Sequence, residues 1–367
     1  MPVITPRIRL GRSARGSSGF ARKGATPDRL SDLGGVRENP GNLRARCFVP
    51  EGLKGPAPLV VVLHGCTQDA AVYDHGSGWS TLAERHGFAL LFPEQQRANN
   101  PMLCFNWFSS DDTRRGAGEA ASIKAMIEAM AAQYSIDPEQ IHVTGLSAGG
   151  AMAAAMLAAY PDVFAAGAII AGVPYGCAQG VGDAFECMGG RANRNTDHLV
   201  SKVRQASPHK GRWPRLQVWH GSADSTVVPA NANTIAAQWA QLHGLAPAPD
   251  RVERAGAAER RVWTAGDGQA LIEQYSIGGM GHGVPLASGG KDDVGAPGAH
   301  MLDVGVSSTS RIAAFFGIAK EQQGGARASS PPKAGARPAA KAPQAVKPAH
   351  GPQAIIEKAL RAAGLMR

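Results

Sequence analysis

The chain contains no run of about 18 apolar residues, so nothing in it reads as a membrane-spanning helix. It has no CxxC pair, and none of its 11 histidines stands at His-x-x-x-His spacing with a Glu, which removes the common zinc patterns. No G-x-G-x-x-G opens a helix after the first apolar strand, and the glycine pairs at 34–35, 189–190 and 289–290 fall in loops. Neither a metal nor a cofactor is expected. The N-terminus also lacks the apolar core of a secretory signal, because arginines at 7, 9, 12 and 15 interrupt residues 1–20. Aromatics are only 6% of the chain, so the few that stand beside motifs are worth following.

Basic charge is abundant but confined to the ends. The chain is +9 overall, residues 1–30 hold +6 and residues 319–367 hold +7, leaving −4 for residues 31–318. A pI near 9.5 therefore does not imply a specific nucleic-acid partner. The ends suggest only salt-sensitive contact with anionic surfaces. Residues 324–352, rich in Pro, Ala, Lys and Gly, have too little apolar content to bury a core and are expected to be disordered. We divide the chain into a flexible basic extension (1–40), a catalytic domain (41–318), a disordered linker (319–352) and a short C-terminal helix (353–367).

Between the ends, apolar strands alternate with helical stretches at 59–63, 80–86, 88–92, 118–134, 141–144, 150–160 and 166–171. A strand at 216–220, a helix at 231–243 and a strand at 271–277 continue the pattern. This is the β-α-β order of a mostly parallel sheet. Leu59 to Leu63 is a continuous apolar run, as expected of a strand covered on both faces.

The chemistry centres on Gly145-Leu146-Ser147-Ala148-Gly149, which fits G-x-S-x-G. A β-type run containing Ile141 and Val143 precedes it, and an Ala/Met/Leu run with strong helix propensity follows. A strand that turns sharply into a helix lifts the serine hydroxyl above the sheet edge and aims the following N–H groups at the atom it attacks. Such a nucleophile needs a base and an acid, in that fold placed later in the chain in the order serine, acid, histidine. The strand Leu216-Gln217-Val218-Trp219-His220 leads into a loop with one carboxylate, Asp224. The strand Leu271 to Ile277 leads into Gly278-Gly279-Met280-Gly281-His282-Gly283. Ser147, Asp224 and His282 are thus the expected catalytic triad. His220 is read as a structural histidine at the sheet end, Asp267 as part of a hairpin turn, and His300 as a histidine no strand delivers.

The loop after the first buried strand, His64-Gly65-Cys66-Thr67-Gln68, is placed to give one backbone N–H to an oxyanion hole, with Ala148 giving the other. Cys66 is proposed for its amide, and His64 for packing.

Five segments together make the chain resemble the poly(3-hydroxybutyrate) depolymerase family of esterases: His64-Gly65-Cys66, Pro93-Glu94-Gln95, Cys104-Phe105-Asn106-Trp107-Phe108, Gly145 to Gly150, and His220 to Asp224. The resemblance spans roughly residues 40 to 318. It implies an α/β-hydrolase fold, hydrolysis of carboxylic esters, and the roles just given to Ser147, Asp224, His282, Cys66 and Ala148. The family also includes feruloyl and acetyl-xylan esterases, so the substrate does not follow from membership. Polymer-degrading members usually carry a separate polymer-binding domain after the catalytic one. The roughly 50 residues after Gly317 are short for a β-sandwich of about 100, which favours soluble oligomers or small esters. A different class of reading, a non-catalytic binding protein on a hydrolase scaffold, would have to explain why all three triad types are present in order.

Cys66 and Cys104 flank the site motifs, and Cys177 and Cys187 lie ten apart in a Gly-rich insertion, leaving Cys47 over. We expect bridges Cys66–Cys104 and Cys177–Cys187, which suit an extracellular or periplasmic location. Trp79, Trp107, Phe108 and Trp219 stand near the motifs as candidates to line the substrate pocket; Trp79 and Trp219 read also as core aromatics, and Trp107 and Phe108, in a polar loop beside Cys104, are the better pocket candidates.

Overall fold

The computed structural model describes residues 26–192, 195–290 and 293–320. The outer basic extension, the linker and the C-terminal helix therefore lie outside the described residues, as does most of the charge assigned to the ends. Ten strands form one sheet: β1 (Ser31–Asp32), β2 (Arg44–Phe48), β3 (Ala57–Leu63), β4 (Ala89–Glu94), β5 (Ile136–Leu146), β6 (Ala166–Ile170), β7 (Arg215–Gly221), β8 (Arg251–Ala255), β9 (Ala258–Thr264) and β10 (Ala270–Ile277). Two more, β11 (Val284–Leu286) and β12 (Met301–Asp303), pair separately. The helices are α1 (Ala70–Ser77), α2 (Trp79–His86), α3 (Ser110–Thr113), α4 (Gly118–Gln133), α5 (Ala148–Ala159), α6 (Val181–Met188), α7 (Thr196–Gln205), α8 (Ala230–His243) and α9 (Ser308–Phe316).

The strand order is β1-β2-β4-β3-β5-β6-β7-β10-β9-β8. Its middle six strands, β4 to β10 in that order, are all mutually parallel, and antiparallel pairs finish both edges. Parallel strands all end on the same side, so the loops after β3, β5, β7 and β10 meet along one edge. The continuous apolar runs are explained by cover on both faces. Leu59, Val61 and Leu63 pack with residues of α4, α5, α7 and α8. Val60 and Val62, pointing the other way, pack with α1, α2 and α9. This is the mostly parallel sheet expected from the alternation, in the α/β-hydrolase arrangement that the resemblance implies.

The helix after the elbow is unusual in its surroundings. All twelve residues of α5 are buried, and its composition is Ala, Gly, Met and one Leu. Small side chains let it lie close to the sheet: a Cβ on Gly149 would stand 2.3 Å from the Leu63 carbonyl oxygen. Nothing larger than glycine fits there without moving β3.

Packing begins earlier in the chain than residue 41. Leu30 and Leu33 are buried, Arg46 bonds both Asp28 carboxylate oxygens, and β1 pairs with β2. The composition of residues 1–40 is dominated by charge and glycine, which hides these two leucines.

Candidate active site

Ser147 occupies the turn between β5 and α5 with φ 58° and ψ −118°. A non-glycine residue in this region is strained, and such strain persists where packing on both sides over-determines it. Here the Ser147 amide donates to the Ile170 carbonyl at 2.9 Å, and α5 is buried behind it. The hydroxyl makes no capping hydrogen bond to its own helix. It lines a cleft instead.

Asp224 and His282 come together from two strand ends. Asp224 Oδ2 accepts from His282 Nδ1 at 2.7 Å, and Oδ1 accepts from the amides of Thr226 and Val227 at 2.8 and 2.9 Å. His220 Nε2 donates to the Val227 carbonyl at 2.8 Å and lies 3.3 Å from Asp224 Oδ2. Burial alone would raise the Asp224 pKa. The hydrogen bonds from His220 and His282, the charge of His282 and the Val227 amide outweigh it and hold the carboxyl well below the usual range. Asp224 is therefore an ionised acceptor that fixes the ring of His282 with Nδ1 toward it, so that Nε2 is the ring nitrogen turned away from the carboxylate. The two loops are stitched by backbone: Ser222 N donates to the Ile277 carbonyl, Ala223 N to that of Met280, and Gly279 N to the Ser222 hydroxyl. The His282 side chain is hydrogen-bonded to Asp224, and among the described residues no hydrogen bond joins it to Ser147.

The loop after β3 is equally constrained. His64 is buried, accepts at Nε2 from the Gln95 amide and faces the Gly65 carbonyl with Nδ1, so it packs the loop. Burial pushes its pKa down. Thr67 N donates to the Met102 carbonyl at 2.7 Å, and Cys66 bridges Cys104 with Cα atoms 4.2 Å apart. The second bridge, Cys177–Cys187, has Cα atoms 5.9 Å apart and ties the loop after β6 to α6. Cys47 is buried and unpaired.

The cleft is lined by Cys66 and Ala148 beside Ser147, by Met102, Trp107 and Phe108 from the loop after β4, and by Val181, Ala184, Phe185 and Met188 from α6. Trp107 and Phe108 meet edge to face, ring centroids 5.7 Å apart. Trp219 does not belong with them. It is fully buried, stacks on Tyr275 at 3.8 Å and donates Nε1–H to Gln217, because alternation along β7 turns it into the core face opposite the cleft's floor. Of the two readings of Trp219, the structure bears out the core one and not the pocket one. Trp79 is likewise in the core. His300 touches the site indirectly, its Nδ1 3.2 Å from the His282 carbonyl oxygen. Asp267 sits in the β9–β10 turn, accepting from the Gln269 amide. Among the described residues no group of three or more His, Cys, Asp or Glu side chains converges as a metal site would.

Two features escaped the sequence reading. The helix α6 supplies a whole wall of the cleft, yet its Gly-rich approach reads as a loop. Glu119, in the first turn of α4, looks like a solvent-facing acid but is buried. It accepts from Gln95 Nε2 at 2.5 Å, from Asn106 N at 2.9 Å and from Asn106 Nδ2 at 2.8 Å. Gln95 Nε2 also reaches the Cys104 carbonyl at 3.0 Å. The aromatic loop is thus anchored on one hidden carboxyl, whose pKa burial pushes up to about 8.

Comparison with known proteins agrees with this architecture. The family described as Esterase PHB depolymerase matches residues 45–263. The chain is 45% identical over 291 residues to poly(3-hydroxyalkanoate) depolymerase C of Paucimonas lemoignei, covering 79% of this chain and 70% of that protein. It is 30% identical to feruloyl esterase B of Talaromyces funiculosus over 70% of this chain and 73% of the relative. The solved acetyl xylan esterase from Aspergillus awamori superposes with a TM-score of 0.67 at 26% identity, over 79% of this chain and 99% of that one. A strained elbow serine on a parallel sheet, with these relatives around it, makes this chain a carboxylic ester hydrolase of the PHB depolymerase esterase family.

Proposed function

We propose that the chain hydrolyses hydroxyalkanoate esters, 3-hydroxybutyrate oligomers or polymer and related short acyl esters, through Ser147, His282 and Asp224. The observation that carries the reading is the 2.7 Å bond between an ionised, buried Asp224 and His282 on the same sheet edge as the elbow. His282 Nε2 takes the proton as Ser147 Oγ forms a bond to the ester carbonyl carbon. The oxyanion of the tetrahedral intermediate is held by the amides of Cys66 and Ala148. The ester C–O bond then breaks, the alcohol leaves with the proton from His282, and water repeats the sequence on the acyl-enzyme. Asp224 keeps the ring oriented and stabilises the imidazolium.

The substrate assignment is supported by the 45% identical depolymerase and by a cleft walled mainly by Met, Phe, Trp and Val, which suits short alkyl chains. The feruloyl and acetyl-xylan reading is supported by relatives near 30% identity. Two disulfides fit an extracellular or periplasmic location. The basic ends add a salt-screened attraction to anionic surfaces.

The test is a panel of p-nitrophenyl esters of graded length, 3-hydroxybutyrate oligomers, feruloyl esters and acetylated xylan, with Ser147→Ala as control. Ser147→Ala should abolish turnover on every active substrate and labelling by a fluorophosphonate, without lowering Tm by more than a few degrees. Faster turnover of feruloyl or acetyl-xylan esters than of the hydroxybutyrate oligomers would hand the chain to the second reading. Residual labelling in the alanine variant would move the nucleophile elsewhere.

A further inference from the structure

A second cavity lies against the first, sharing Trp107, Ala151 and Val173 as a common wall. Its character differs. Where the first is nearly all apolar, the second is lined by Ser110 and Thr113 of α3, by Tyr175 and Gln179 of the loop after β6, and by Lys202 of α7.

Lys202 is half-buried, and its stem is held: a Cβ on Gly176 would stand 2.7 Å from Lys202 Cβ. Among the described residues no carboxylate pairs with it. The acids of α6 and α7 are committed elsewhere, Asp183 to the Gln179 amide, Glu186 to Arg191 and Asp197 to Gln241. A half-buried lysine with no carboxylate partner among the described residues, lining a cavity together with Ser110 and Gln179, suits an anionic group with several oxygen acceptors.

We propose that this cavity is an alcohol-side subsite that binds the terminal carboxylate of a short hydroxyacyl ester, with Lys202 as its cationic contact. The inference rests on the hydroxyalkanoate reading of the cleft. When one acyl unit lies in the apolar cavity beside Ser147, the next unit along the chain must occupy a neighbouring space. In a hydroxyacid ester the alcohol half is itself an acid, so its far end is a carboxylate. The Trp107 indole separates the alkyl part of one unit from the charged end of the next. Cleavage then releases one free hydroxy acid from the carboxyl end, and short oligomers with a free acid are preferred to those with a blocked end.

The experiment compares kcat/KM for the 3-hydroxybutyrate dimer as free acid and as its methyl ester, each normalised to p-nitrophenyl butyrate turnover. Wild type should prefer the free acid. Lys202→Met should lower that preference about tenfold, through KM, the size of one charge-assisted hydrogen bond. Lys202→Arg should restore most of it, and raised salt should erode it only where the cation is present. An unchanged preference in Lys202→Met overturns the subsite. A second arm measures inhibition of p-nitrophenyl butyrate hydrolysis by free 3-hydroxybutyrate and by its methyl ester. If the dimers are not cleaved, the substrate reading fails by itself. Lys202-dependent inhibition by the acid would then still support the carboxylate subsite, and Lys202-independent inhibition would remove it.

Discussion

The two halves of the catalytic edge are held by different physics. On the β3–β5 side, the proposed nucleophile Ser147 and the proposed oxyanion loop rest on close packing and a covalent bond: a helix buried on every residue, glycine against backbone, and Cys66–Cys104. On the β7–β10 side, the proposed acid and base, Asp224 and His282, rest on hydrogen bonds: two amides on Asp224, the His220 contact and three stitches between the loops. Packing and covalent closure fix position regardless of protonation. Hydrogen bonds fix both position and charge state, which is what a proton relay needs and a nucleophile's platform does not. The first half should therefore fail when volume or covalency changes, the second when charge changes.

The sharpest way to break the polar half is Asp224→Asn. The packing is conserved, but the amide presents the wrong hydrogen-bonding edge to His282, so kcat should fall by roughly 10⁴, as in the serine protease precedent. Near wild-type rates would move the acid role to another carboxylate. A stability readout sharpens the comparison. Because the folded pKa of Asp224 lies below its unfolded value, its contribution is fully present above about pH 4 and is lost as pH falls through the folded pKa. Denaturation curves of wild type and Asp224→Asn should therefore differ at neutral pH and converge in strong acid. Parallel curves at all pH values would contradict that.

The covalent half is broken by Cys66→Ser with Cys104→Ser. The bridge spans 38 residues, and the chain-entropy treatment assigns such a loop about 4 kcal/mol. A Tm drop of several degrees and a raised KM are expected, since Trp107 and Phe108 lose their tether to the elbow side. Removing Cys177–Cys187, ten residues apart, should cost less, about 3 kcal/mol. Equal melting of both variants and wild type would show that packing alone holds the loop.

The smallest effect probes where the two modes mix. Glu119 is a polar anchor inside the packed half, with a pKa pushed up to about 8. An acid whose folded pKa exceeds its unfolded value favours the folded state while protonated. Stability should therefore decline as pH rises from about 4.5 to 8, and Glu119→Gln should flatten that slope. A slope unchanged in the glutamine variant would assign it to other groups.

How much of this was legible beforehand follows from the same division. Ser147, Asp224 and His282 were legible because each follows a strand whose apolar run is readable, and loops after parallel strands must meet. Strand ends were less so: β5 starts at Ile136 rather than near Ile141, carrying Pro138 and a register shift against β3. The exposed, charged edge strand β8 has no apolar face to betray it. Trp219 was legible as a core aromatic but not as to its face, because neighbourhood in sequence is not a face in a strand. Glu119 failed because burial of a helix's first turn depends on the loop laid over it, which no local pattern records.

The total burial of α5 has one more consequence. A rod of alanine, glycine and methionine wedged on all sides leaves the floor of the cleft no freedom to reshape itself for different substrates. Diversity must then come from the roof, the loop after β4 and the insertion around α6, each held by one disulfide. Exchange of those two segments between relatives with different named substrates would change what is held above a floor that does not change.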